Sequence, residues 1–126
     1  MNKEIVAVYG SLRKGFGNNR LLETADFVSD GITLKEFTMH SLGGFPAIIE
    51  GGDHGVTVEM YEVDPTTFKS LDGLEGYPDF YNRQQTLVDC GGGRQVSAWI
   101  YYMEEGSRFI DNSPVVYSND WKEFNT

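Results

Sequence analysis

Short runs rich in Val, Ile, Thr and Tyr, each ended by glycine or another turn-forming residue, place the strongest constraint on the fold of this chain. Runs of this length, bounded by Gly, Pro, Asn or Asp, predict short β-strands joined by tight turns. Asp30-Gly31 predicts a turn between two of them. The predicted strands lie at residues 5–9, 27–28, 32–39, 47–50, 56–63, 81–89 and 94–103.

One segment in the middle of the chain predicts a helix, at residues 64–75. Asp64 is a preferred N-cap residue, and Pro65 suits the first helical position. Gly76 follows as a stop signal. Apolar residues recur on one face of this helix, at Phe68, Leu71 and Leu74.

Strands outnumber helices in this pattern, since the other predicted helices, at residues 20–25 and 119–124, are short. One substantial helix among many strands predicts an α+β fold with a curved sheet or a small barrel. A length of 126 residues suits one domain, so we expect a single domain over residues 1–126.

The composition excludes several classes of function. The formal net charge is −9 and the ten cationic residues are scattered, whereas nucleic-acid binding needs a clustered basic face. No apolar run approaches the roughly 20 residues that span a membrane. One cysteine permits no internal disulfide. We therefore expect a cytoplasmic protein that binds neither nucleic acid nor membrane; the oligomeric state stays open.

Common catalytic motifs are absent from the sequence. The glycine-rich segment 10–17 lacks the Gly-Lys-Ser/Thr ending of a phosphate-binding loop. His40 and His54 have no metal-ligand spacing, so we expect no metal site. Cys90 has no suitable histidine nearby in the sequence to make it a nucleophile, and the segment around Ser11 lacks the second glycine of a hydrolase nucleophile elbow.

Two features of the sequence still suggest a functional site. The bend Tyr9-Gly10-Ser11-Leu12 frees backbone amides where the first strand ends, which suits an anion or oxyanion pocket, although an ordinary glycine turn remains an alternative.

Glu75 is the second feature. It lies in the last turn of the predicted helix, where the helix dipole raises a carboxyl pKa. Leu74, Tyr77 and Phe80 could desolvate it and raise the pKa further. A carboxyl group tuned toward neutrality suits proton transfer. The alternative is a solvated glutamate at a helix end.

Several motifs together resemble the gamma-glutamylcyclotransferase-like family, in particular its gamma-glutamylamine cyclotransferase branch. The resemblance covers about residues 5–122 in the family's order. It rests on Val8-Tyr9-Gly10-Ser11-Leu12-Arg13, Gly44-Phe45-Pro46-Ala47, Tyr61-Glu62-Val63-Asp64, Leu71-Asp72-Gly73-Leu74-Glu75-Gly76-Tyr77, Tyr81-x-Arg83 and Ser118-Asn119-Asp120-Trp121-Lys122.

The resemblance implies a small mixed β-barrel with a few short helices and a cavity at one end. It implies an enzyme without cofactor, in which the α-amine of a gamma-glutamyl substrate attacks its own γ-carbonyl and releases 5-oxoproline and a free amine. Glu75 would be the general acid/base and residues 9–12 the substrate cradle. Tyr81 would position the substrate, and Arg83 is a weaker candidate for that role. The alternative is a non-catalytic small-molecule binding module on the same fold.

Two residues depart from the family's pattern. Val58 stands where the family often has glycine, and Asn119 stands where its closing motif has glycine. If Val58 lines the cavity, the volume available to the substrate changes. Neither departure touches Glu75, and the leaving amine cannot be named from the sequence.

Overall fold

The computed structural model describes residues 3–125. The helical segments are a 3₁₀ helix at Gly17–Leu22, α1 at Pro65–Glu75 and α2 at Trp121–Phe124. The strands are β1 at Glu4–Val8, β2 at Asp26–Thr33, β3 at Phe37–Ser41, β4 at Pro46–Glu50, β5 at Thr57–Val63, β6 at Asn82–Gly91 and β7 at Arg94–Tyr102.

Five strands close into a barrel in the order β1-β5-β2-β6-β7. The pairs are antiparallel except for β1 and β7, which pair in parallel where Val6 meets Trp99 and Ala7 meets Ile100. The remaining strands, β3 and β4, form a separate antiparallel pair. The predicted α+β fold with a small mixed barrel is confirmed.

β1 is buried on both faces, as its uninterrupted apolar sequence predicts. Successive side chains of a strand point to opposite sides. Ala7 therefore packs in a cluster with Met60 and Ile100, while Val6 and Val8 belong to a second cluster that includes Leu71 of α1. This burial fixes the position of the loop that leaves the end of β1.

The predicted turn at Asp30-Gly31 is wrong, because β2 continues through both residues. Gly31 pairs with Val58 of β5, and a Cβ atom at Gly31 would lie 2.4 Å from Cγ1 of Val88 in β6. Glycine here permits the close approach of a neighbouring strand. The predicted strand at residues 32–39 is correspondingly divided between β2 and β3.

The end signals of the central helix act as predicted. The Asp64 side chain accepts a hydrogen bond from the Thr67 N–H at 2.7 Å, and Gly76 takes the left-handed conformation with φ of 65°. Only a residue tolerant of positive φ ends a helix in this way without strain. Glu75 is thus fixed as the last residue of α1.

The predicted C-terminal helix is shorter than expected, because the backbone turns sharply at Asn119, with φ of 54°. Its side chain donates to the Phe37 carbonyl at 2.8 Å and accepts from the Met39 N–H at 3.1 Å. Positive φ explains why glycine suits this position, and asparagine is among the residues that tolerate it.

The predicted helix at residues 20–25 appears as the 3₁₀ helix at Gly17–Leu22. Across residues 3–125, every helix falls short of the length and apolarity that a membrane crossing requires.

Candidate active site

A cavity of about 290 Å³ lies beside the loop that follows β1. It gathers six of the seven residues that the resemblance implies for the site, from three separate parts of the chain, and Arg83 is the exception. They are Tyr9, Gly10, Ser11, Leu12, Glu75 and Tyr81. The remaining wall includes residues 44–46 before and at the start of β4, together with Leu74, Phe80 and Tyr101. Their common location is observed; their roles in chemistry stay predictions.

The loop supplies unused backbone donors to this cavity. Within residues 3–125, the N–H groups of Gly10, Ser11 and Leu12 donate to no acceptor, whereas the next amide, of Arg13, closes a turn onto the Gly10 carbonyl at 3.0 Å. A Cβ atom at Gly10 would lie 2.8 Å from two ring carbons of Pro46. Only glycine therefore fits here while Pro46 forms the facing wall.

The end of the loop is held by a buried ionic cluster. Glu59 is only 3% exposed and accepts from Nε of Arg13 at 3.0 Å and from the Lys14 N–H at 2.9 Å. Arg13 also bonds through Nη1 to Oδ1 of Asp120 at 2.9 Å, and the Tyr61 hydroxyl donates to Glu59 at 3.2 Å. Sequence reasoning missed Glu59; its signal was a charged residue between two apolar residues of a predicted strand, Val58 and Met60.

Glu75 projects from the end of α1 into the cavity and is partly buried. No hydrogen bond or ion pair joins its carboxyl group to the chain between residues 3 and 125. Burial raises the pKa of Glu75 to about 7, because a poorly solvated carboxyl group without compensating donors favours its neutral form. At neutral pH the group can therefore either accept or donate a proton.

Two of the three neighbours expected to desolvate Glu75 do share its cavity, Leu74 and Phe80. The third, Tyr77, is not part of the cavity wall. Its ring instead lies 4.4 Å from the guanidinium carbon of Arg83. The expected contribution of Tyr77 to the desolvation of Glu75 stays a prediction.

Three tyrosine rings wall the cavity, and their hydroxyl groups are already engaged. Tyr9 donates to the Tyr101 carbonyl at 2.8 Å, Tyr81 to the Pro46 carbonyl at 2.6 Å, and Tyr101 to Oδ1 of Asp72 at 2.7 Å. These bonds tie β1, β4, β7 and α1 together around the cavity. Tyr101 was missed by sequence reasoning, because its proximity depends on the pairing of β7 with β1.

The pKa values of these tyrosines are raised by their position in the cavity wall. Burial, followed by the repulsion of a charge on Glu75, raises the pKa of Tyr81. Burial likewise raises the pKa of Tyr9, with added repulsion from Tyr81 and Glu75. The phenols therefore remain neutral at physiological pH.

Arg83 lies outside the cavity wall. Its guanidinium carbon lies 4.3 Å from the centre of the Phe68 ring and 4.7 Å from that of Trp99, and its Nε is 3.3 Å from Oδ1 of Asp72. This surrounding of rings holds Arg83 against α1. The residue has no direct access to a ligand in the cavity.

Two other residues considered in the sequence analysis, Ser11 and His40, have polar neighbours within the protein. The Ser11 hydroxyl accepts a hydrogen bond from Nδ2 of Asn18 at 2.9 Å, and Nδ1 of His40 lies 3.2 Å from the Ser113 carbonyl. Among the described residues, 3–125, no three His, Cys, Asp or Glu side chains are grouped to hold a metal ion. Val58 is fully buried among barrel residues and does not line the cavity, so its departure from the family's glycine does not change the cavity's lining.

Comparisons with known proteins agree with the resemblance seen in the sequence. A Methanocaldococcus jannaschii protein, provisionally named a gamma-glutamylcyclotransferase, is 36% identical over 123 residues, covering 96% of this chain and 98% of its own. The rat gamma-glutamylaminecyclotransferase is 30% identical over 112 residues, covering 76% of this chain and 75% of its own. The crystal structure of a mouse AIG2-like protein superposes with a TM-score of 0.79 at 27% identity, covering 90% of this chain and 86% of that one.

The family assignment rests on nearly the whole chain. The sequence profile of the family described as "Gamma-glutamyl cyclotransferase, AIG2-like" matches residues 6–123. That span includes β2 to β7, the last three residues of β1, α1 and the complete cavity wall. The chain therefore belongs to the gamma-glutamyl cyclotransferase, AIG2-like family.

Proposed function

We propose that this protein is a cytoplasmic gamma-glutamyl cyclotransferase that converts a gamma-glutamyl amine into 5-oxoproline and a free amine. The names of its relatives support the activity, and the rat relative supports the amine branch. The observation that carries the proposal is the Glu75 carboxyl group, which has a pKa of about 7 and no partner within residues 3–125. The same cavity has on its wall three backbone N–H groups that donate to no acceptor in that part of the chain.

The first step is removal of a proton. The α-amine of the substrate is mostly protonated at neutral pH, and the ionised Glu75 carboxylate takes one proton from it. The freed nitrogen lone pair attacks the γ-carbonyl carbon and forms the new C–N bond of a five-membered ring. The carbonyl electron pair moves onto oxygen.

The second step returns a proton. Glu75, now protonated, donates to the nitrogen of the leaving amine as the oxyanion collapses and the original amide C–N bond breaks. The regenerated carboxylate then takes the second proton from the ring nitrogen, which becomes the neutral amide N–H of 5-oxoproline. That proton passes to the released amine, which leaves as its ammonium ion. The nucleophile and the electrophile belong to one molecule, so ring closure benefits from a large effective concentration. A carboxyl group with a pKa near the operating pH suits both transfers.

The loop amides have a separate task. The N–H groups of Gly10, Ser11 and Leu12 can donate to an anionic part of the substrate, either its α-carboxylate or the oxyanion that develops on the γ-carbonyl oxygen. The three tyrosine hydroxyls are occupied by protein acceptors. We assign Tyr9 and Tyr81 to shaping the cavity and positioning the substrate.

The experiment measures 5-oxoproline released from a panel of gamma-glutamyl amines. Glu75→Gln keeps the side-chain shape but cannot exchange the proton, so we expect kcat to fall by roughly 10²- to 10⁴-fold with circular dichroism unchanged. Asp79→Asn is the matched control, because Asp79 is an exposed carboxylate four residues away and does not line the cavity. We expect wild-type turnover from it.

Two results would contradict the proposal. Unchanged turnover in Glu75→Gln would remove Glu75 from the mechanism. No 5-oxoproline from any member of the panel, with saturable binding of the same compounds by calorimetry, would favour the alternative of a non-catalytic binding module.

A further inference from the structure

A second, more open groove of about 530 Å³ adjoins the candidate active site. The groove and the cavity share the side chains of Phe45 and Phe80. The rest of the groove comes from residues 41–43 after β3 and from residues 109 and 111–114, in the irregular segment after β7. The side chains of Phe45 and Phe80 therefore lie at the boundary between the cavity and the groove.

The groove wall nearest the cavity is aromatic. The ring centres of Phe45 and Phe80 are 6.1 Å apart, and those of Phe80 and Phe109 are 4.7 Å apart. Phe45 and Phe109 remain 38% and 41% exposed. These rings offer apolar surface to the methylene groups of a ligand, whose burial there is favourable.

One charge faces the groove. Asp111 alone, among the residues that line it, carries an ionisable side chain, and its carboxylate is exposed and forms no ion pair within residues 3–125. Arg108, the cationic residue nearest to Asp111 in the sequence, does not line the groove; its guanidinium carbon lies 5.1 Å from the centre of the Phe109 ring. The groove therefore favours a cationic ligand group and disfavours a carboxylate.

We propose that the groove is the leaving-group subsite and that it selects gamma-glutamylated diamines. This inference rests on the proposed function. The glutamyl part occupies the cavity beside Glu75, the methylene chain of the amine passes over Phe45 and Phe80, and the terminal ammonium reaches Asp111. The net charge of −9 acts in the same direction by attracting a cationic substrate to the protein.

Three substrates separate the contributions of chain length and charge. The first is the mono-gamma-glutamyl derivative of 1,4-diaminobutane. The second is gamma-glutamyl pentylamide, in which a methyl group replaces the terminal ammonium at similar length. The third is gamma-glutamyl-ε-lysine, whose leaving group adds a carboxylate. All three present the same glutamyl group to Glu75 and the loop.

We expect kcat/KM for the diamine derivative to exceed that for the pentylamide by about 3- to 10-fold at low salt, chiefly through KM, since Asp111 is solvent-exposed and a single exposed pair is weak. The lysine derivative should fall below the diamine. In Asp111→Asn the ratio of diamine to pentylamide should approach one, and in the wild type it should shrink as salt is added. Asp53→Asn, an exposed aspartate outside both cavities, is the control and should keep the wild-type ratio.

The outcomes separate this inference from the proposed function. Turnover of the pentylamide with no preference for the diamine, or a ratio unaffected by Asp111→Asn, would overturn the diamine subsite and leave the cyclotransferase intact. A lysine derivative that outperforms the diamine would also overturn it. No turnover of any of the three would overturn the proposed function, and the subsite with it.

Discussion

Two carboxylates lie near the loop that follows β1, and they differ in whether the protein supplies them with hydrogen-bond donors and cations. Glu59 is almost fully buried and is bonded to Arg13, to the Lys14 N–H and to Tyr61 at the end of the loop. Glu75 shares a cavity with the start of the loop and has no partner within residues 3–125. A buried carboxylate is either compensated by donors and cations or shifted toward its neutral form. Glu59 is compensated by donors and a cation, and it fixes the backbone of the loop. Glu75 is instead shifted toward its neutral form and can exchange a proton.

The largest effect on stability is expected at Glu59. Glu59→Gln removes the charge that compensates the buried Arg13 guanidinium and places amide hydrogens against its donors. Breaking a buried pair from one side costs about 3–5 kcal/mol. We expect a loss of about 3 kcal/mol in the free energy of unfolding, measured by urea denaturation at pH 7. A loss below about 1 kcal/mol would mean that Glu59 does not hold the loop.

An effect of opposite sign is expected at Glu75. Its pKa is raised from 4.5 to about 7 on folding, so its contribution to stability is fully present below pH 4.5 and is lost as pH rises through 7. At about 1.4 kcal/mol per pKa unit, the ionised group costs the native state about 3 kcal/mol at pH 8. Glu75→Gln does not ionise and escapes that cost.

The measurement compares the two proteins by urea denaturation across pH. The free energy of unfolding of Glu75→Gln relative to wild type should rise by about 3 kcal/mol between pH 4.5 and pH 8. Asp79→Asn, which removes an exposed carboxylate, is the matched control and should show no such trend. A flat difference for Glu75→Gln would mean that Glu75 is as well solvated in the native state as in the unfolded chain.

The smallest effect is expected at the edge of the Glu59 cluster. Nζ of Lys122 lies 3.7 Å from Oε2 of Glu59, and the lysine side chain is 43% exposed. Lys122→Ala should cost at most about 0.5 kcal/mol, because exposed ion pairs are screened by solvent. A cost comparable with that of Glu59→Gln would show that Lys122, and not Arg13, compensates Glu59.

Local signals explain which parts of the molecule could be predicted. The central helix was predictable because its start and end depend on Asp64 and Gly76, which act within a few residues. The bend at Gly10 was equally visible. Glu75 could be singled out because its position in the last turn of the helix was already settled by the same signals.

Long-range pairing explains what could not be predicted. Arg13 meets Asp120 across 107 positions of sequence, and Tyr9 meets Tyr101 across 92. No local pattern states which strands become neighbours. The turn predicted at Gly31 was wrong for the same reason. Glycine is required there because Val88, in another strand, leaves no room for a side chain. The aromatic groove likewise exists only because residues 41–45 and 109–114 meet in the fold.

Glu75 is a partly desolvated carboxyl group with no partner within residues 3–125, and the titration of Glu75 itself tests this description most directly. The side-chain carboxyl carbon of Glu75 can be followed by ¹³C NMR as pH changes and assigned by its disappearance in Glu75→Gln. The account predicts a midpoint at about 7. A midpoint near 4.5, the ordinary value for an exposed glutamate, would contradict it.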